Sequence, residues 1–321
     1  MASSSASPTP PLAKYLASTD KKTRDKAVRN LSAFLSDPER PHLSSHDMDK
    51  LWKGIFYCFW MSDKALVQQA LASELANIVL SINDNTASLE FLRGFWRTIV
   101  REWDGIDRLR MDKYYLLIRR FVNATFRLLT RSDWDSGLCQ VYNDILTTRG
   151  GPLCHDDSRV PMSLKYHLAD IYLEELDKVL AWDPEAGDPS PPPVPIDTLI
   201  SPFLTLIART PSSHTFERVM SAVLEPLVES LTPPGSDEPP SKKRRRLLGN
   251  EMTFVADNSR ASDLSTPDKS SLRRVLLKQV FSVASEEDTR DSNRRRLYKF
   301  WKSNLDDDEG AHDASHGVDA S

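Results

Sequence analysis

Residues 154–157, Cys-His-Asp-Asp, combine side chains that bind metals and transfer protons. Their spacing argues against both roles. A zinc site needs four ligands, usually supplied in spaced pairs, whereas adjacent side chains in a loop point in different directions. The other cysteines, Cys58 and Cys139, have no partner at metal-binding spacing. We therefore expect a loop here, with no metal and no cofactor.

A nucleophile with an activating base is not apparent either. His167 has Asp170 one helical turn later, but the sequence places no serine or cysteine beside the pair. Gly150-Gly151-Pro152 ends a helical pattern and lacks the Lys-Ser/Thr pair of a phosphate-binding loop. Only 11 glycines occur in 321 residues, which leaves little material for such loops. The sequence predicts a protein that is not an enzyme and has no small-molecule substrate.

Five consecutive cations lie in a Pro- and Ser-rich segment: Lys242, Lys243, Arg244, Arg245 and Arg246. An extended basic run of this kind fits the acidic groove of a nuclear import receptor, so it predicts a nuclear localisation signal. A solvated charge run and a direct contact with RNA phosphates are the alternatives. The net charge of the whole chain is −4, so any contact with nucleic acid must be local.

A second set of cations recurs along one long helical pattern from about Asp107 to Arg131. At about 100° per residue these side chains share one stripe: Arg110, Lys113, Arg120, Arg127 and Arg131. A rigid row of cations fits the spaced phosphates of an RNA backbone. The alternative is an ordinary solvent face whose cations pair with acidic neighbours, and the residues alone favour it.

The segment 52–60 is rich in aromatic residues that could stack on bases. Its helical spacing instead favours packing between neighbouring helices for most of the rings. Only Tyr57 and Trp60 remain as candidates for a partner surface.

The elements that must position these residues are helical. From about Thr19 to Leu231, apolar residues recur at helical spacing, segment after segment, with Ser, Thr or Asp at the expected N-cap positions. Strand-like alternation is scarce, and no crisp repeat is visible. The pattern predicts an all-α fold, an irregular α-solenoid of HEAT-like or armadillo-like stacked helical hairpins, with a disordered C-terminal linker and tail.

Composition sets the expected domain boundaries. We expect a disordered N-terminus (1–11), a helical-repeat-like domain (12–231, with a Pro-rich interruption at 184–195), a disordered basic and Pro-rich linker (232–270), C-terminal helical segments (271–303) and an acidic tail (304–321). The odd number of cysteines argues for reduced thiols inside a cell. No stretch approaches the roughly 20 apolar residues of a membrane span, so we expect no membrane partner.

Several passages resemble the ribosomal RNA-processing protein 1 family of nucleolar factors. The most specific is Trp-Lys-Gly-Ile-Phe-Tyr-Cys-Phe-Trp-Met-Ser-Asp-Lys at residues 52–64. The others are residues 14–17 with 24–28, residues 106–115 and residues 166–176. The resemblance covers about Leu12 to Leu231. It implies a helical-repeat-like domain, residence in the nucleus and nucleolus, and a role within pre-ribosomes in precursor rRNA processing, chiefly on the large-subunit branch. It brings no catalytic residues.

The residues and the resemblance together predict a non-catalytic scaffold that binds pre-ribosomal RNA and pre-ribosome assembly proteins. A protein-only nuclear adaptor or transport solenoid is the alternative, because the same helices and basic segment fit it. An RNA-cleaving enzyme would need clustered carboxylates or paired histidines, and neither stands out in the sequence.

Overall fold

A computed structural model of the chain describes residues 12–37, 39, 43–182, 189–232, 253–263 and 268–313, without the side chains of 306–313. The chain divides into two compact units, Met1–Leu128 and Leu129–Ser321. The basic run 242–246, the predicted disordered N-terminus and the last part of the predicted tail lie outside the described residues. Among those that are described, no helix combines the length and apolar character needed to cross a bilayer.

The first unit is built from helices with short connections. They are α1 (Leu12–Leu16), α2 (Lys21–Ser36), α3 (Ser45–Trp60), α4 (Ala65–Ser81), α5 (Asn85–Glu102), a 3₁₀ turn (Trp103–Gly105) and α6 (Met111–Arg131), whose last three residues belong to the second unit. The side chains of Asp20, Ser44 and Asp84 accept hydrogen bonds from backbone amides in the first turns of α2, α3 and α5. These are the N-caps that the sequence pattern predicts, and they fix where each helix begins.

In this unit, a helix packs on the second helix after it in the sequence. Helix α2 packs on α4, and α3 packs on α5. Phe95 of α5 stacks on Phe121 of α6 with ring centroids 3.9 Å apart, and Trp52 of α3 donates its indole N–H to the Phe91 carbonyl at 3.0 Å. Contacts between a helix and the second helix after it, repeated along the chain, are typical of a solenoid.

At Gly94, α5 lies close against α3. A methyl group there would overlap Cδ1 and Nε1 of Trp52, which is 2% exposed and held by its hydrogen bond. We expect Gly94→Ala to lower the free energy of unfolding by about 1 to 2 kcal/mol, since overpacking outweighs the better helix propensity of alanine. Urea denaturation measures it. Gly105→Ala is the matched control, because a methyl group at Gly105 meets no atom within 4 Å; equal stability of the two variants would contradict this packing.

The second unit continues the helical pattern. Its elements are α7 (Ser136–Thr147), α8 (Met162–Leu180), β1 (Val194–Pro195), α9 (Ile196–Arg209), α10 (Ser213–Val219), a π-helical turn (Met220–Leu224), α11 (Glu225–Ser230), α12 (Thr253–Asn258), β2 (Ser259–Arg260), α13 (Lys269–Ser285) and α14 (Asp291–Asp313). Helix α7 packs on α9 and α8 on α10. The predicted all-α class is thereby confirmed, and the packing of the described helices is that of an irregular α-solenoid.

Residues 253–263 differ from the expectation of a continuous disordered linker over 232–270. Val255 and Ala261 are fully buried, and Ser259 and Arg260 pair in parallel with Val194 and Pro195. The Asp197 carboxylate accepts hydrogen bonds from the backbone amide and the hydroxyl of Ser262. A few apolar residues suffice to order this short segment, because its partners already lie in the folded unit.

The C-terminal helices dock on the same unit. Helices α13 and α14 form a hairpin, and α13 packs along α9. Asn293 of α14 donates its amide hydrogens to the carbonyl oxygens of Ala208 (3.2 Å) and Thr210 (2.8 Å), which end α9. The hairpin is therefore part of the second unit. Its last helix extends through Asp313, into the segment that the composition predicts as a tail.

Candidate RNA and partner surface on helices α3 and α6

Lys113, predicted as part of the cationic stripe, lies inside the first unit. Its side chain is buried, and its ammonium group donates to the carbonyl oxygens of Phe59 (3.0 Å), Trp60 (2.7 Å) and Ser62 (2.7 Å). The last carbonyls of a helix have no partner within it, and a cation at that end is favoured by the helix dipole. Burial lowers the pKa of Lys113 to about 8. Lys113 therefore caps α3 and is not presented to an external ligand.

A tight turn precedes α6 and pairs the Arg110 side chain with Asp107. The Asp107 carboxylate accepts from the backbone amides of Leu109 (3.1 Å) and Arg110 (3.2 Å) and from the Arg110 guanidinium. The hydrogen bond from the Arg110 side chain holds the pKa of Asp107 below its usual value. Because this local turn competes with helix formation, α6 begins at Met111, four residues later than the sequence pattern suggests.

The same turn exposes the side chain of a leucine to solvent. Leu109 is 94% exposed, next to Arg110, whose guanidinium lies 4.9 Å from the centre of the Trp60 ring. Tyr57, one helical turn before Trp60, is 40% exposed. We call Tyr57, Trp60, Leu109 and Arg110 the α3-end patch. Sequence reasoning missed Leu109, since nothing in the pattern shows that a turn replaces the start of the helix.

The other aromatic residues of α3 pack in the core. Trp52, Phe56 and Phe59 are buried. Phe56 stacks on Tyr114 of α6 with centroids 5.0 Å apart, and the Tyr114 hydroxyl donates to the Phe56 carbonyl. Burial raises the pKa of that hydroxyl far above its ordinary value. These contacts make the end of α3 a rigid base for the exposed rings.

The remaining predicted cations lie on the exposed side of α6. Arg120, Arg127 and Arg131 are exposed, and spacings of seven and four residues put them on one face. Arg120 and Arg127 belong to the first unit and lie about 10 Å apart along the helix. Neither makes an ion pair with any side chain that the structure describes. Arg131 belongs to the second unit. The surface thus keeps Arg120 and Arg127 as a pair open to an anionic ligand, and RNA binding by them stays a prediction.

Side chains of the Cys-His-Asp-Asp loop make a hydrogen bond and an ion pair with near neighbours in the chain. The Cys154 thiol donates to the Asp156 carboxylate at 2.8 Å, and burial raises the pKa of the thiol. Asp157 pairs with Arg159. In the described parts of the chain, no three potential metal ligands come together. A thiol kept protonated in this way is a poor nucleophile and a poor ligand.

Comparison with known protein families identifies the family of the chain. The sequence model of a family described as "Nucleolar protein, Nop52" matches residues 7–301, which is most of the chain. The chain belongs to the Nop52 family. The match includes both units and the α3-end patch.

Curated relatives of this Nop52-family chain carry the name that the sequence resemblance predicts. It is 32% identical over 282 residues to human ribosomal RNA processing protein 1 homolog B, covering 87% of this chain and 35% of the relative. It is 34% identical over 228 residues to mouse homolog A, covering 69% and 44%. Human homolog A is 30% identical over 324 residues, covering 90% and 68%. The predicted resemblance is confirmed, while the chain spans about a third of the length of human homolog B.

Proposed function

We propose that this Nop52-family chain is a non-catalytic ribosome biogenesis factor that acts in precursor rRNA processing, chiefly on the large-subunit branch. It works as a helical scaffold for RNA and proteins within pre-ribosomes. The observation that supports this most is the family match over residues 7–301, shared with relatives named for ribosomal RNA processing. The chain presents packed helices with charged and apolar surfaces, which suits binding rather than bond-making.

Arg120 and Arg127 are the proposed RNA contacts of the first unit. Both lie on a helix whose opposite face is buried, so their spacing is fixed before RNA binds. Preordered cations neutralise phosphates and release counterions, which gives affinity without base specificity. Arg131, in the second unit, is a proposed RNA contact by itself. Arg110 is already tied to Asp107 and serves the α3-end patch instead.

The α3-end patch is the proposed contact for assembly proteins. A leucine that is 94% exposed on a rigid turn, beside a partly exposed tryptophan and an arginine, has the composition of an interface anchor. This patch is also the observation that favours the alternative, a protein-only nuclear adaptor. Crosslinking to RNA in cells separates the two: recovery of precursor rRNA supports the scaffold, and its absence supports the adaptor.

Localisation to the nucleus and nucleolus is proposed from the family and from Lys242–Arg246. Five adjacent cations fit an import receptor. The segment lies outside the described residues, so its assignment as an import signal rests on the sequence.

The decisive experiment is depletion of the protein followed by complementation with variants. Loss of the protein is expected to cause precursor rRNA of the large-subunit branch to accumulate. The double variant Arg120→Glu with Arg127→Glu is expected to restore processing poorly. With purified chain, the slope of log Kd for RNA against log salt should decrease by about 1.4 to 1.8, at roughly 0.7 to 0.9 per phosphate contact.

Lys22→Glu with Lys26→Glu is the matched control, because it makes the same charge change on exposed positions of α2. Full complementation by the arginine variant, with an unchanged salt slope, would show that Arg120 and Arg127 are not part of the RNA interface. Unaltered precursor levels after depletion would contradict the processing role itself.

A further inference from the structure

The outer face of the α13–α14 hairpin carries one exposed ring and two partly exposed rings beside cations. We define the hairpin patch as Arg274, Lys278 and Phe281 of α13 with Tyr298, Trp301 and Lys302 of α14. We infer that the hairpin patch binds single-stranded RNA, with bases stacked on Phe281 and Trp301 and phosphates neutralised by the three cations. The site belongs to the second unit and is separate from Arg120 and Arg127. It rests on the proposed function only in the choice of RNA as ligand.

The rings form one cluster at the surface. The centroid of Phe281 lies 4.7 Å from that of Trp301 and 5.4 Å from that of Tyr298. The Tyr298 hydroxyl is 3.0 Å from the Ser285 hydroxyl, which fixes the register of the two helices here. Phe281 is 41% exposed although its helix is well packed on the other side. An aromatic ring kept in water on a rigid element is a ready surface for a second ring.

Helical spacing puts the cations around these rings. Arg274, Lys278 and Phe281 are separated by four and three residues, so they share one face, opposite the buried Leu276 and Val280. Lys302 follows Trp301 directly. All three cations are exposed, and none pairs with a carboxylate among the described side chains. The patch is therefore electropositive, and its complement is an anion.

Rings and cations together select one class of ligand. A phosphorylated or acidic peptide would use the cations and leave the rings without a partner. Duplex RNA keeps its bases stacked inside, so the rings would again be unused. A single strand offers both an unstacked base and a phosphate at each step. Acidic residues flank the patch in sequence, at Glu286–Glu287 and Asp306–Glu309, so the site fits a short stretch with one base on Phe281 and one on the partly exposed Trp301.

The test measures the affinity of the purified full chain for three probes. They are a single-stranded RNA of about 12 nucleotides, an abasic strand with the same backbone, and an RNA duplex of the same length. The wild-type chain should bind the base-containing strand most tightly. Phe281→Leu should weaken that binding about ten-fold and leave the abasic strand unaffected, since stacking on one ring is lost. Lys278→Ala should lower the salt slope for both single strands by about 0.7.

Controls are available in the first unit. Tyr15→Leu removes a ring that is 48% exposed, and Lys26→Ala removes an exposed cation; neither should change affinity. If the Phe281→Leu chain fails to fold, Lys278→Ala still tests RNA binding by the hairpin patch. Unchanged affinity in both patch variants, or tighter binding of the duplex, overturns the inference. The inference is also overturned if the patch variants keep their RNA affinity but recover fewer assembly proteins, because the patch would then be a protein contact. The depletion experiment is independent of all these outcomes.

Discussion

Replacing Lys113 with methionine is expected to lower the free energy of unfolding by about 2 kcal/mol. Methionine keeps most of the apolar stem but removes the ammonium donor from the carbonyl groups of Phe59, Trp60 and Ser62. The Phe59 carbonyl still accepts from Ser62 and the Ser62 carbonyl from Gln68, so among the described contacts the Trp60 carbonyl is left without a donor. A buried polar group that loses its partner costs about 1 to 3 kcal/mol, and relief of the buried charge offsets part of the total. Urea denaturation followed by circular dichroism measures the change.

The same contacts predict a pH dependence. Burial lowers the pKa of Lys113 from 10.5 to about 8 in the folded chain. Between these two pH values the unfolded chain holds more protons than the folded chain, so this group's contribution to the free energy of unfolding rises with pH. The stability gap between wild type and Lys113→Met should therefore widen between pH 8 and 10, by at most about 1.4 kcal/mol per pH unit.

Arg108→Met provides the control for this pair of results. Arg108 is exposed in the adjacent turn, and its replacement removes one positive charge without uncovering a carbonyl. Its stability should match that of the wild type at every pH. A Lys113→Met chain that is as stable as Arg108→Met would show that the ammonium group does not cap α3. A gap that narrows as pH rises would show that the pKa of Lys113 is not lowered in the folded chain.

Lys113 also shows what the sequence can and cannot predict about the site. The helical period correctly gives an exposed face for Arg120, Arg127 and Arg131 and a buried one for Tyr114 and Leu117. It places Lys113 on the exposed stripe as well. The residue is buried because the end of α3, some 50 positions earlier, covers it. Periodicity describes one helix at a time, so it does not reveal which neighbour covers which turn.

Residues 253–263 show the corresponding limit for the fold. The composition over 232–270 is polar and Pro-rich, and its average predicts disorder. Val255 and Ala261 are nevertheless buried, because α8, β1 and Asp197 supply partners about 65 to 80 positions away. The all-α class, by contrast, follows from many local patterns that agree with one another, and a property repeated in every segment is predictable from sequence.

Replacing Asn293 with aspartate is expected to release the α13–α14 hairpin from α9. Asn293 is buried, and its amide group donates to the carbonyl oxygens of Ala208 and Thr210. Aspartate has the same shape but puts a carboxylate oxygen against two carbonyl oxygens, so two attractive contacts become repulsive. We expect a loss of about 3 kcal/mol or more in the stability of hairpin docking. Amide hydrogen exchange in α13 and α14 should accelerate while α8 stays protected.

An exposed position of the same hairpin supplies the control. Ser282→Asp adds the same charge to the solvent side of α13, away from Asn293, so hydrogen exchange should be unchanged. The defect of Asn293→Asp should lessen at low pH, since burial raises the pKa of the new carboxyl group and its protonated form can donate one hydrogen bond. If both variants exchange alike, the hairpin is held by the apolar contacts of α13 with α9, and Asn293 does not anchor it.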